Sequence, residues 1–330
     1  MRWTLVALAL VGMVGCKDRD LTIYPSEFID VFEQKTVRQV DILLVVDSSG
    51  SMVEEQAKLA DNFESFIESI VEADVDYHLG VVTTDINNVA AAGHLRETDD
   101  GTRFIDQETE DAAAHFAALV NVGTEGSGLE AGLEAARMAL SEPLRSDPEG
   151  NGGFYRPEAA LSVVIFSDEN DLSPLGVEDY LNFFAGLKGV AAYRDHTLAN
   201  VSAVAGDVPF GCEAEDGSGV ASAGTRYADA AYTTDGVFAS ICAQDFSPIV
   251  KALGLNVSGL RSEFPLTFCP RPESLVVAVD AVAITEGWTY APLEKLIRFE
   301  EGAVPPPLST VEISYQFLPE NTASCAAESP

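Results

Sequence analysis

Leu43-Leu44-Val45-Val46-Asp47-Ser48-Ser49-Gly50-Ser51-Met52 (43–52) is an apolar run that stops at an aspartate and then offers three serines and a glycine. Upstream, Val40 to Val46 (VDILLVV) is nearly all apolar and rich in β-branched residues. That composition suits a strand buried on both faces, as in a parallel sheet. A helix is expected next, at about 54–71, with Leu59, Phe63, Phe66 and Ile67 at helical spacing. The pattern then repeats. Strands are expected at 78–84, 160–166 and 197–205, and helices at about 108–120, within 122–140, at 177–188 and at 236–253. The helix within 122–140 carries Leu129, Leu133, Ala136 and Leu140 on one face. Strands alternating with helices predict an α/β fold with a doubly wound, mostly parallel, Rossmann-like sheet.

The text changes near residue 262. Pro265, Pro270 and Pro272 break helix, and 274–284 and 310–318 read as strands. In the second, Val311, Ile313, Tyr315 and Phe317 alternate with Glu312, Ser314 and Gln316, the pattern of a half-buried strand. The expected organisation is a signal segment at 1–15, a polar tether at 16–36, an α/β domain at 37–262 and a small C-terminal β module at 263–330.

The 330 residues carry 19 Lys+Arg against 53 Asp+Glu, a net charge of −34. So acidic a surface repels nucleic acid and anionic headgroups and attracts divalent cations and basic partners. Apolar content is 47%, enough for a core. Leu5 to Val14 is an apolar run of signal-peptide length, too short to span a bilayer, and it ends in Met13-Val14-Gly15-Cys16. That ending resembles a bacterial lipobox. The resemblance implies cleavage before Cys16, acylation of that cysteine and a lipid anchor in the cell envelope. Lys17 after the cysteine favours the outer membrane over the inner by the same analogy. Four further cysteines remain: Cys212, Cys242, Cys269 and Cys325. An even number in an exported chain suggests two disulfides, and proximity favours Cys212–Cys242 and Cys269–Cys325 among three connectivities.

In open α/β sheets, ligands collect outside the C-terminal ends of the strands where strand order reverses. Asp47 ends one strand and Asp168, in Ser167-Asp168-Glu169, follows another. Two acids with several hydroxyls, and no His or Cys nearby, describe a site for a hard cation. Mg²⁺ takes six oxygen ligands at about 2.0–2.1 Å and typically keeps waters. Neutral hydroxyl ligands leave it electrophilic enough to accept a carboxylate from a partner. Helix capping is the competing use of Asp47, Ser49 and Ser51, but a cap needs one such residue, not three at spacing two. Asp85 and Asp171 fall on the same expected rim and read as solvated acids.

Asp47-Ser48-Ser49-Gly50-Ser51 matches the D-x-S-x-S of the von Willebrand factor A (VWA) domain with its metal-ion-dependent adhesion site (MIDAS), in the right context of buried strand, motif and helix. The resemblance covers about 38–260, and the whole chain looks most like acidic, lipobox-bearing bacterial VWA proteins of myxobacterial type. It implies Mg²⁺, or Mn²⁺ or Ca²⁺, held directly or through water by Asp47, Ser49, Ser51 and Asp168 together with a loop hydroxyl. Thr124 is the candidate for the hydroxyl and Ser127 its rival. It also implies adhesion or protein–protein interaction, with an acidic residue of a protein ligand completing the metal's shell. The chain has no GxxxxGK, HExxH or GxSxG, and its four histidines lack metal-ligand spacing, so no enzyme is expected. The alternatives are an envelope protein with an idle metal site and a metal-dependent hydrolase.

Overall fold

A computed structural model describes residues 26–126, 128–214, 219–300 and 302–317. The expected signal segment, Cys16, Ser127 and Cys325 lie outside the described residues. In chain order the first elements are β1 (Ser26–Glu33), β2 (Gln39–Val46), α1 (Val53–Asp61), α2 (Phe63–Glu72), β3 (Asp76–Thr83) and β4 (Phe104–Ile105). Then come α3 (Ala112–Val120), α4 (Gly132–Ala139), β5 (Ala160–Ser167), α5 (Val177–Lys188) and β6 (Ala199–Ala205). β7 (Cys212–Glu213), β8 (Val220–Ala221), α6 (Thr225–Thr233), β9 (Phe238–Ser240) and α7 (Ser247–Ser258) follow. The C-terminal part holds β10 (Glu263–Pro265), β11 (Val276–Val279), β12 (Val282–Ile284), β13 (Trp288–Ala291), β14 (Leu296–Phe299) and β15 (Thr310–Phe317).

The central sheet runs β4-β3-β2-β5-β6-β9 and is parallel except for the short β4. Successive side chains of β2 point to opposite faces. Ile42, Leu44 and Val46 join a core with residues of α1, α2, α3 and α7, whereas Leu43 and Val45 join one with residues of α4, α5 and α6. Both faces of β2 are therefore dry, which is why its sequence is a continuous apolar run. Val46 pairs with Thr83 on one side and Phe166 on the other, so β2, β3 and β5 end level.

Three expected helices change. The long one at 54–71 is two, broken at Asn62, whose side chain donates to the Lys58 carbonyl at 2.8 Å. The one at 236–253 is instead β9, a loop and then α7, which starts at the Ser247-Pro248 pair. Proline lacks the N–H a helix interior needs but is well suited to its first turn. Helix α4 starts only at Gly132, so Leu129 is exposed while Leu133 and Ala136 are buried. The strand expected at 274–284 is a hairpin, β11–β12, with Asp280 and Ala281 at its turn in positive φ.

The expected tether also changes. Residues 26–33 form β1, paired antiparallel along its whole length with β15. Strand order there is β1-β15-β11-β12, and a three-stranded sheet β10-β14-β13 shares its core of Phe264, Ile297, Phe299, Val311 and Ile313. Asp30 faces this core and is held by Thr267 and by the Tyr315 hydroxyl at 2.7 Å. The β module thus takes its first strand from before the α/β region and the rest from after it. Gln34, almost fully buried, ties the joint: its side chain bonds Arg261 through both N–H and C=O and reaches the Pro305 carbonyl. Cys212 and Cys242 are bonded as expected, and Cys269 is also in a disulfide. No helix among the described residues is long and apolar enough to cross a membrane.

Candidate metal centre

The level ends of β2, β3 and β5 bring three loops together. The Asp47 amide continues the ladder by donating to Phe166 O at 2.9 Å, and Thr84 donates to Val46 O. Asp47 is fully buried. Its Oδ1 accepts the Ser49 amide at 2.7 Å and its Oδ2 accepts the Ser167 hydroxyl at 2.7 Å. The Ser49 and Ser51 hydroxyls lie 3.1 Å apart. Capping does not explain these residues. Ser49, at the N-cap of the short 3₁₀ turn Gly50–Met52, and Met52, at the N-cap of α1, make no side-chain capping bond.

The glycine-rich loop is pressed onto this motif. Gly126 donates to Ser48 O at 3.0 Å, and a Cβ there would sit 2.1 Å from the Ser48 hydroxyl, so only glycine allows the approach. Gln56 of α1 bridges the two loops, donating to Asp47 O and Gly123 O at 3.0 Å each. Thr124 is half-buried beside Gly50, and its hydroxyl makes no hydrogen bond among the described residues. The structure therefore brings Asp47, Ser49, Ser51, Thr124 and Asp168 to one end of the sheet, while Ser127 lies outside the described residues.

Glu130 belongs to this cluster and sequence reasoning missed it. It is fully buried and accepts the Thr84 hydroxyl. Its backbone bridges to Asp85. Burial, and then the negative Asp47 beside it, push its carboxyl up to about 8. Asp168 is raised by burial, held partly back by the Ser51 hydroxyl and raised further by Asp47. Glu169 and Glu55 are also raised, by burial first and then by acids including Asp168. Glu130 Oε1 and Asp168 Oδ1 are buried without a hydrogen-bond partner. Among the described residues no Lys, Arg or His pairs with Asp47, Asp168 or Glu130. Buried polar atoms are nearly always satisfied, and buried charge is normally paired or bound to metal.

Carboxylates alone do not form a cage: among the described residues no three His, Cys, Asp or Glu side chains gather so as to hold an ion. The set that fits a hard divalent cation is mixed, with carboxylate and hydroxyl oxygen and no nitrogen or sulfur. The other rim acids do structural work. Asp171 is buried, not solvated as expected, and pairs with Arg226 at 2.9 Å while accepting Ser173 at 2.6 Å. Asp85 accepts the amides of Asn87 and Asn88.

No family model matches the chain and no curated protein matches it. Among solved structures it is similar to a von Willebrand factor type A protein from Catenulispora acidiphila, at 11% identity and TM-score 0.39, over 93% of this chain and 68% of that one. It is similar to proximal thread matrix protein 1 from the mussel byssus, at 11% identity and TM-score 0.39, over 72% of this chain and 51% of that one. It is also similar to the open conformation of the pilus adhesin SpaC from Lactobacillus rhamnosus GG, at 11% identity and TM-score 0.37, over 90% of this chain and 41% of that one. The chain thus spans about half of the mussel protein and less than half of the adhesin.

Proposed function

We propose that this chain is a VWA-type binding protein that holds Mg²⁺, or Mn²⁺ or Ca²⁺, at the end of its parallel sheet and uses it to bind a protein partner. Asp47, Ser49, Ser51 and Asp168 would hold the ion, with Thr124 as the loop hydroxyl. The observation that carries this reading is the pair of buried carboxylate oxygens beside Asp47 that accept no hydrogen bond, Glu130 Oε1 and Asp168 Oδ1, with no Lys, Arg or His paired to either acid among the described residues. A bound divalent ion supplies the missing positive charge and an open position for an oxygen ligand. The partner presents an acidic side chain there, flanked by basic residues that complement the acidic surface. The protein acts by binding, not turnover, and Cys16 carries its lipid anchor in the cell envelope, on the outer membrane.

The test is calorimetric titration of Mg²⁺, Mn²⁺ and Ca²⁺ into chelator-stripped protein, beside an Asp47→Ala/Ser49→Ala variant. One saturable site is expected, absent from the variant. Metal uptake that the variant keeps, or none in either, sinks the reading.

A further inference from the structure

We propose that strand β1 takes an added strand from a protein partner: an extended segment, apolar in the middle and basic at both ends, pairs with its open edge. This surface belongs to the β module, and the binding needs no metal. β1 pairs with β15 over Ser26–Glu33 without a break. Among the described residues no strand pairs with its other side, since the sheet runs β1-β15-β11-β12. The next pair in the same register, the Gln34 amide donating to Ser309 O at 2.8 Å, fixes the phase of the ladder. An antiparallel ladder alternates, so the even-numbered residues of β1 are the ones bonded to β15. β15 agrees: Thr310 and Gln316 turn their carbonyls the other way, to the amides of Asp280 and Arg271. The amides and carbonyls of Glu27, Ile29, Val31 and Glu33 therefore point out of the open edge, and their side chains are exposed.

Sheet edges are normally blunted by lysine, proline or a bulge. β1 has none of these. Its outward row is apolar in the middle, with Ile29 and Val31 each 57% exposed, and acidic at both ends, with Glu27 and Glu33. Across the sheet the row continues from Ile29 through Ser314 to the exposed Val276. This pattern selects its occupant. A second copy of β1 is disfavoured, because the antiparallel register that aligns Ile29 with Val31 sets Glu27 against Glu33 and Asp30 against itself. Like charges directly opposite destabilise a strand pair. The net charge of −34 adds repulsion between copies at longer range. A segment with two β-branched residues at alternate positions, flanked by Lys or Arg, meets the same row with opposite charge at each end. Main-chain bonds then supply the affinity and the side-chain row the choice of partner.

The probe is the capped peptide Lys-Thr-Val-Thr-Val-Thr-Lys, with Glu in place of both Lys as its control, added to the full chain in chelator. Amide hydrogen exchange is read residue by residue by NMR. In the protein alone, the amides of Phe28, Asp30 and Phe32 should exchange slowly, and those of Ile29 and Val31 about tenfold faster or more. The basic peptide at saturation should slow Ile29 and Val31 by about tenfold or more, and the acidic peptide should not. Glu27→Lys/Glu33→Lys should reverse the preference, so that the acidic peptide protects instead. Ile29→Pro removes an outward amide but no bond to β15. Phe28 and Phe32 should therefore stay slow in that variant while the peptide no longer protects Val31. Slow exchange at Ile29 and Val31 without peptide means that another part of the chain, or a second copy, already covers the edge, and overturns the proposal. Equal protection by both peptides, or by neither, overturns it as well. With chelator present throughout, the result is independent of whether the metal titration succeeds.

Discussion

Strand β2 carries a fully buried aspartate at each end, and the two ends solve the same electrostatic problem differently. Near its start, Asp41 is enclosed by Arg156 and Lys188, with the His78 ring at its edge. Arg156 gives it the backbone amide at 2.6 Å and Nε at 2.8 Å, Lys188 Nζ stands at 3.7 Å and His78 at 4.0 Å. Arg156 also reaches Asp76, and Lys188 lies over the Tyr155 ring. Burial pushes Asp41 up while Arg156 and Lys188 oppose it, and burial lowers Lys188 to about 8. Just past its end, Asp47 has only amides, hydroxyls and further acids around it, and none of those acids is matched by a close cation among the described residues except Glu55, near Lys58 at 3.8 Å. Burial alone therefore does not mark a site. A buried acid with its cations in place is architecture, whereas buried acids without them neutralise by holding protons or by taking a cation from solution.

The largest effect should come from breaking the paired end. Arg156→Ala leaves Asp41 buried without its main partner and should cost about 3–5 kcal/mol, by urea denaturation, with metal or without. A loss below about 1 kcal/mol would mean that Lys188 suffices and that the two ends of the strand differ little. At the other end the proposed metal ion would supply the positive charge from solution. Mg²⁺ at a hundred times its Kd should stabilise the wild type by about 2.7 kcal/mol and the Asp47→Ala/Ser49→Ala variant not at all. Equal stabilisation of both would place the ion elsewhere.

The gentlest effect is a slope with pH in chelator-treated protein. Glu130 holds its proton more tightly folded, at about 8, than its ordinary 4.5. Its contribution to stability is complete below 4.5, where both states are protonated, and is lost as pH rises toward 8. Glu130→Gln should remove this fall and saturating Mg²⁺ should reduce it, both read from melting temperatures between pH 4.5 and 8. A variant with the wild-type slope would assign the fall to other acids.

Much of this was legible in the residues. The apolar, β-branched runs over 40–46 and 160–166 read as strands covered on both faces, and the acid soon after each falls at level strand ends. Cys212–Cys242 followed from proximity. Glu130 was not legible because it stands among Leu129, Ala131 and Leu133, where helical spacing suggests an exposed position on a longer α4. The delayed start of that helix turns the glutamate inward. Strand β1 was missed because its outward residues Glu27 and Glu33 made the segment read as polar, while Phe28 and Phe32 had no visible partner nearby.

By itself, then, the sequence determined the parallel sheet and the D-x-S-x-S turn, because periodicity and local chemistry are properties of neighbouring residues. Only the tertiary structure decided which acids are matched. Asp41 meets Arg156 and Lys188, Asp171 meets Arg226, and Asp47 meets Glu130, all across long stretches of chain. Charge pairing depends on distance and burial in space, and one aspartate reads like another until the fold brings its neighbours to it.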